Sequence, residues 1–298
     1  MQKMLPKISV IMSCYNSQEF VANAIDSILN QTFQDFEFII WNDGSTDRTV
    51  EIVESFNDPR IVLISAENQG LGKALHDACE KAQGKYIVRM DDDDISLPNR
   101  LQVEYDYMES HPECILASCA VKYINKDGDV IGCSGPALTD NVLKKTFSFV
   151  HPGVIFRTEV YRKTQGYYNL RTAQDKVLWQ LMAPFGKFHN INKILIMYRV
   201  QSNSIGRKQR ISELTECCQQ IRIRLVKEGL EGTCNTALVD LHNQIYKLNT
   251  ELSKSIPPVQ DQRNGIFTKL YNVLHCFLDE NTSSKLLSWI ATAYHFIR

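Results

Sequence analysis

Long apolar runs are missing from this 298-residue chain: no window reaches the roughly 18 to 20 uninterrupted apolar residues that a spanning helix requires. A membrane-crossing protein is therefore not expected. Charge of one sign is missing too. The formal net charge is -1, which gives no general attraction to nucleic acid, whose binders carry a basic face or domain, so no nucleic-acid partner is expected. The N-terminus lacks the basic-then-apolar layout of a signal peptide. The nine cysteines, an odd number, include no pair with the two-residue gap of a zinc knuckle. Reduced thiols in a cytoplasm, serving as small core residues, fit that count. Disorder is not the default, since 44% hydrophobic and 22% charged residues are ordinary for a folded protein. The length suits one large domain, or one with a smaller appendage.

Along the first hundred residues, strand and helix signals alternate. Strands are expected at Ile8 to Ser13, Phe36 to Trp41, Ile61 to Ile64 and Tyr86 to Met90, and helices at Ser17 to Asn30, Thr46 to Phe56, Leu71 to Ala82 and Pro98 to Ser110. Parallel neighbours need a crossover helix, so this pattern predicts an α/β fold with a mainly parallel sheet flanked by helices. Further on the pattern is mixed. Strands are expected near Ile115 to Tyr123, Val130 to Cys133 and Gly153 to Phe156, a helix over Ala173 to Ala183, and extended chain around Phe188 and Ile194 to Tyr198. From about Arg207 the chain reads as wholly helical. Leu238, Leu241, Ile245, Leu248 and Leu252 form a seam that either packs on the body or pairs with a second subunit; too few heptads favour the packing reading.

Asp91 to Asp94 follow the apolar stretch Tyr86, Ile87, Val88 and precede Ile95 and Pro98. Such a run beside a buried strand repels itself unless a cation or many donors answer it. In extended chain, Asp91 and Asp93 face one way, and Asp92 and Asp94 the other, so one pair can share an ion. Oxygen ligands suit hard cations such as Mg2+ or Mn2+, which accept phosphate oxygens from a substrate. A solvated charge run fits poorly between apolar flanks. A calcium loop of the EF-hand type fails, because Ser96 and Gln102 stand where glycine and glutamate are needed.

Ligands of open α/β sheets sit beyond the carboxyl ends of the strands, and Cys14 to Asn16, Asn42 to Gly44 and Asp91 to Asp94 all lie there. Gly44 permits a tight turn, while Ser45, Thr46 and Asp47 have capping chemistry. Asp43 is not explained by capping, and its carboxylate suits a hydrogen bond from a base or sugar. Asp175, before the run Val177, Leu178, Leu181, reads either as a first-turn acid favoured by the helix dipole or as a general base, with nothing in the spacing to choose between them. Trp41 and Trp179 sit on apolar faces and read as core.

Taken in order, these residues resemble the family 2 glycosyltransferases, inverting enzymes of the GT-A fold. The matching pieces are Ile8 to Ile11 leading to Tyr15 and Asn16, Gln31 and Thr32, Asn42 to Asp47, Asn68 to Leu71, Gly84 to Asp94 with Pro98 and Arg100, His151 and Pro152, Gln174 and Asp175 with Trp179, and Tyr198 with Arg199. The resemblance covers roughly residues 6 to 205. It implies a catalytic domain over residues 1–206 and a helical region over 207–298. It also implies a nucleoside, usually uridine, held by Ser13, Tyr15, Asn16 and Asp43, with Asp91 at the ribose. Asp91 and Asp93 match the ends of a D-x-D element that holds Mg2+ or Mn2+ on the donor diphosphate, Asp175 matches the base, and His151 and Arg199 match positions near acceptor or diphosphate. Asn42 replaces a frequent aspartate, Asp92 fills a spot usually held by a small residue and reads as solvated, and Gln201 replaces a frequent histidine. The Gln-x-x-Arg-Trp signature of processive synthases is absent, so a single addition to a glycan or lipid-linked acceptor is expected.

Two other readings are weighed against this. An aspartyl-nucleophile phosphohydrolase would carry Thr or Val two residues after its second aspartate, where Ile95 stands. A catalytically silent nucleotide-sugar-binding module finds no cause, since Asp91, Asp93 and Asp175 are all present. The apolar tail Leu286 to Arg298, preceded by Lys285 and with His295 in it, either docks on the body or lies on the inner face of a membrane as a peripheral helix.

Overall fold

The computed structural model describes residues 5–134, 149–200, 212–231 and 236–255. Its first part alternates as the periodicity requires: β1 (Ile8–Cys14), α1 (Val21–Leu29), β2 (Phe36–Asp43), α2 (Thr49–Glu54), β3 (Ile61–Ala66), α3 (Leu71–Lys81) and β4 (Tyr86–Asp91). There follow β5 (Ile95–Ser96), α4 (Arg100–Ser110), β6 (Cys114–Ile124), β7 (Val130–Cys133), β8 (Val154–Arg157), α5 (Thr158–Tyr161), α6 (Gln174–Met182), β9 (Lys187–Arg199), α7 (Ser212–Leu230) and α8 (Thr236–Ser255).

The helices begin later than their polar leaders suggest. Where Ser17 and Thr46 were expected to open helices, α1 starts at Val21 and α2 at Thr49. The capping side chains serve the neighbouring loop instead: Ser45 Oγ accepts from Asn16 N–H, and Asp47 accepts from Gln18 N–H as well as from Thr49 N–H. Likewise α4 opens at Arg100, with Pro98 in the turn before it.

The strands form one sheet in the order β3-β2-β1-β4-β8-β6-β9-β5, with β7 on β6. From β3 to β4 all neighbours are parallel, as crossover helices demand. The second half departs from the parallel pattern. There β8 lies antiparallel to β4 and β6, β5 is antiparallel to β9, and only β6 and β9 run parallel. The order reverses between β1 and β4, which places the topological switch point at their carboxyl ends.

Alternation along each strand sorts the side chains into two layers. Val10, Met12, Phe38, Ile40, Val88 and Met90 pack with Val21, Ile25, Ile28, Val53, Leu101 and Met108 of α1, α2 and α4. On the other face Ile11, Ile39, Trp41 and Ile87 pack with Ala74, Leu75, Leu178 and Trp179 of α3 and α6. Continuing the alternation, Ser13, Asp43 and Asp91 emerge on this second face.

The contacts divide the chain into Met1–Asn169 with Ala173–Asn203, and Leu170–Thr172 with Ser204–Arg298. In the second unit α7 buries Cys218, Ile221 and Leu225, α8 buries Leu238, Leu241 and Ile245, and the helices touch. The start of the apolar seam is thus used for intrachain packing, while the tail Leu286 to Arg298, Gln201 and the cysteines at 234 and 276 lie outside the described residues, as do the side chains of Cys217, Leu248 and Leu252. Among the described residues, no helix is long and apolar enough to cross a membrane.

Candidate functional site

Three loops meet where the strand order reverses. Register places Cys14 beside Asn42, and Ser13 beside both Trp41 and Asp91. Gly44 turns the chain sharply with φ +73°, and a Cβ there would stand 2.7 Å from Asn68 N, so only glycine lets the 66–70 segment close on β2. Asn16, itself at φ 50°, accepts from Thr46 N–H through Oδ1 at 2.8 Å and ties the β1 loop to the β2 loop. Tyr15 remains half exposed at the rim.

The strand alternation expected along the four aspartates does not run past Asp91. Asp91 ends β4, but Asp92 and Asp93 lie in a turn, so strict alternation stops. In consequence Asp91, Asp93 and Asp94 each offer a carboxylate oxygen within 4.8 Å of one another. Asp94, expected on the opposite side, is a member of the cluster, and it is buried, with Oδ1 accepting from Arg199 N–H at 2.7 Å and Oδ2 unpartnered among the described residues. Burial, then Asp91 and Asp93, raise its pKa well above the usual range. A buried orphan oxygen among acids is what a hard cation would satisfy, so the residues present fit one. Asp92 is not simply solvated. It turns toward the β1 loop, accepts from Tyr15 N–H at 3.3 Å, and burial with its acidic neighbours pushes its pKa up to about 7.

Beneath this turn lies a residue that the sequence reading passed over. Arg89, two positions before Asp91 on the same face of β4, is 3% exposed and ion-paired to Asp91. Its pKa is raised because Asp91 outweighs the opposing effect of burial. A basic residue two before an acid on a buried strand is the signal that could have found it.

Asp175 is in the first turn of α6, after Ala173 in the left-handed region at φ 58°. Burial raises its pKa, opposed by the Lys176 amide, Lys176 and Arg89, so Asp175 is a stronger base than an exposed aspartate. Through α6 and the second layer it sits on the same side of the sheet as Asp91. His151 shares this region: its Nε2 meets Tyr167 Oη at 2.9 Å, its ring stands edge-on to Trp179 at 5.8 Å, and burial with Arg89 drives its pKa well below 6.5, leaving it neutral.

Two of the expected site side chains also make structural hydrogen bonds. Arg199, expected at a diphosphate, gives Nε to Asp93 O at 2.8 Å and Nη1 to the carbonyls of Asn125 and Lys126, and it lies over Phe20. Its guanidinium holds the acid turn against the β6–β7 turn. Asp43, expected to bind a base, accepts Gln69 N–H and Gly70 N–H at 2.9 Å, one with each oxygen, and thereby fixes the entry to α3.

Comparison with known proteins gives consistent relatives. The profile of Glycosyl transferase family 2 matches residues 9–165. An uncharacterized glycosyltransferase, MJ1057 of Methanocaldococcus jannaschii, is 33% identical over 206 residues, which are 65% of this chain and 71% of that protein. The O-antigen biosynthesis glycosyltransferase WbnJ of Escherichia coli is 31% identical over 211 residues, 68% of this chain and 83% of WbnJ. Among solved structures, residues 1–349 of S. aureus TarS in complex with UDP-GlcNAc superpose with a TM-score of 0.64 at 21% identity, covering 91% of this chain and 80% of that one. That last likeness is one of fold.

Proposed function

The chain belongs to glycosyl transferase family 2 and is a glycosyltransferase with the GT-A fold, and on that premise we propose that it transfers a sugar from a nucleoside-diphosphate donor, by preference a UDP-sugar, to a hydroxyl of a glycan or lipid-linked acceptor, singly and with inversion. The observation that carries this is the gathering of Asp91, Asp93 and Asp94 at the switch point, on the face of the sheet that also carries Asp175. UDP-GlcNAc in TarS supports the uridine donor, and the O-antigen role of WbnJ supports a surface-glycan acceptor.

In this reading Ser13, Tyr15, Asn16 and Asp43 border the nucleoside, and Asp91, Asp93 and Asp94 hold Mg2+ or Mn2+. A cation bound there would supply Lewis-acid charge compensation for a diphosphate leaving group. Asp175 receives the acceptor hydroxyl proton as that oxygen attacks the anomeric carbon from the face opposite the leaving group. Neutral His151 packs behind α6 with Tyr167 and Trp179 and steadies the helix that carries the base. Residues 1–206 form the catalytic part in this proposal, at the cytoplasmic side of the cell membrane. Residues 207–298 serve packing, dimerisation or peripheral membrane attachment; loss of liposome co-sedimentation on deleting Leu286 to Arg298 would select attachment.

The deciding experiment incubates the protein with Mn2+ and a panel of UDP-sugars and follows UDP release. Asp175→Asn should keep donor affinity while turnover falls by roughly a hundredfold or more, the range for removal of a general base. Because the pKa of Asp175 is raised, the acid limb of kcat should lie above an ordinary aspartate's titration, with activity lost as pH falls through it. Phosphate release from simple phosphate esters with no UDP release would overturn the assignment.

A further inference from the structure

We propose that Arg89 is the internal counter-ion of the acid turn, a positioning residue that answers Asp91 before a divalent cation binds and keeps the turn in its binding geometry. The inference rests on reading Asp91, Asp93 and Asp94 as the cation's ligands.

Arg89 lies in the layer of Ile11, Ile87, Tyr167 and Trp179, where an apolar side chain would pack without desolvating a charge. Structural need does not explain it. Nε and Nη1 are buried with no hydrogen-bond partner among the described residues. Arg100 is the contrast: it is also buried, yet Nε, Nη1 and Nη2 all donate, to Glu104, Ser96 and the carbonyls of Arg89 and Pro152. Arg100 is a hydrogen-bonding clamp, whereas what Arg89 delivers is positive charge aimed at Asp91.

The groups that Arg89 acts on point the same way. Asp91 and Asp94 on the turn and Asp175 on α6 are the carboxylates within its field, while His151 and Tyr167, also near it, are neutral. Asp91 to Asp94 sit on consecutive residues, and mutual repulsion at that spacing would open the turn without a counter-charge. Arg199 supplies part of the answer from the far side through Asp93 O. Arg89 answers Asp91 alone, so the cluster of Asp91, Asp93 and Asp94 keeps an excess of acid for a cation. Arg89 thus lets the site form ahead of its ion without cancelling its attraction for one.

The test is thermal unfolding with EDTA and with Mn2+ alone. Arg89→Met should melt below the parent in EDTA and recover with Mn2+, the metal-induced rise exceeding the parent's by about 4 °C or more. Arg89→Lys, which keeps the charge, should respond to Mn2+ as the parent does. Equal destabilisation of both variants, with Mn2+ raising neither more than the parent, would overturn the proposal and leave Arg89 a packing residue. Should Arg89→Met fail to fold in either buffer, the double variant Arg89→Met with Asp91→Asn decides: recovery of folding supports charge compensation, and no recovery refutes it. Calorimetry on the parent separates the underlying reading, because UDP affinity indifferent to Mn2+ would sink the cation site without any Arg89 variant.

Discussion

Asp94 shows how one side chain can be misplaced by a sound rule. Alternation assigns it to the side away from Asp91, yet the chain leaves β4 at Asp91 and turns, so Asp94 rejoins Asp91 and Asp93. Alternation is a property of extended backbone, and the point at which a strand ends depends on its neighbours. Here Ile95–Ser96 pair with β9, and Arg199 pins the turn from the opposite end of the chain segment. Asp94→Asn preserves the acceptor for Arg199 N–H and removes a ligand charge. Calorimetry should then show Mn2+-dependent UDP binding weakened roughly tenfold or more, since even outer-shell partners of a metal are worth that much. Asp92→Asn, directed at Tyr15 N–H, should change it far less. Asp91 and Asp93 stood out in the sequence as candidates because they follow an apolar run, while the spacing around Asp175 left it between a helix-dipole acid and a base. Arg89 was passed over, although its place two residues before an acid on a buried strand puts both side chains on one face.

At the level of elements, α4 is joined to the site by the buried pair Arg100–Glu104. Both side chains are 0% exposed, and Arg100 reaches Ser96, the carbonyl of Arg89 and that of Pro152 beside His151. One guanidinium therefore fastens β4, β5 and the turn that presents His151. Arg100→Met should cost about 3–5 kcal/mol in urea unfolding, the range for leaving a buried charge alone, and converting both Arg100 and Glu104 to leucine should return most of it. A double variant as unstable as the single one would contradict this account. Gln31 plays a similar part just after α1, donating to Leu97 O and accepting from Leu101 N–H. Most strands and helices were readable from apolar spacing, with ends displaced by a few residues. The short β5 escaped notice because two residues carry no period. The full length of β9 was likewise hidden, since Asn190 to Lys193 interrupt its apolar pattern and the pairing with β6 shifts register across Asn192 and Lys193 before resuming at Ile194.

For the molecule as a whole, pH and metal are linked through the acid turn. The pKa of Asp92 rises from 3.8 to about 7, chiefly by burial and then by Asp91 and Asp93. Between those values the folded chain binds more protons than the unfolded one, so this group's contribution is complete below 3.8 and is lost as pH rises toward 7. A cation that relieves the same repulsion should therefore matter more as pH rises. Melting curves should show a larger Mn2+-induced gain at about pH 7 than at about pH 5; an equal gain would detach the turn's acids from the metal.

By itself the sequence determined the α/β class, the alternation of the first hundred residues, and the presence of acids at strand ends, because each is written in local spacing and residue chemistry. The tertiary structure alone decided the antiparallel half of the sheet, the entry of Asp94 into the acid cluster, and the pairing of Arg89 with Asp91. Those outcomes depend on which strands become neighbours and which face each one buries, and such long-range choices are settled by packing the whole core at once.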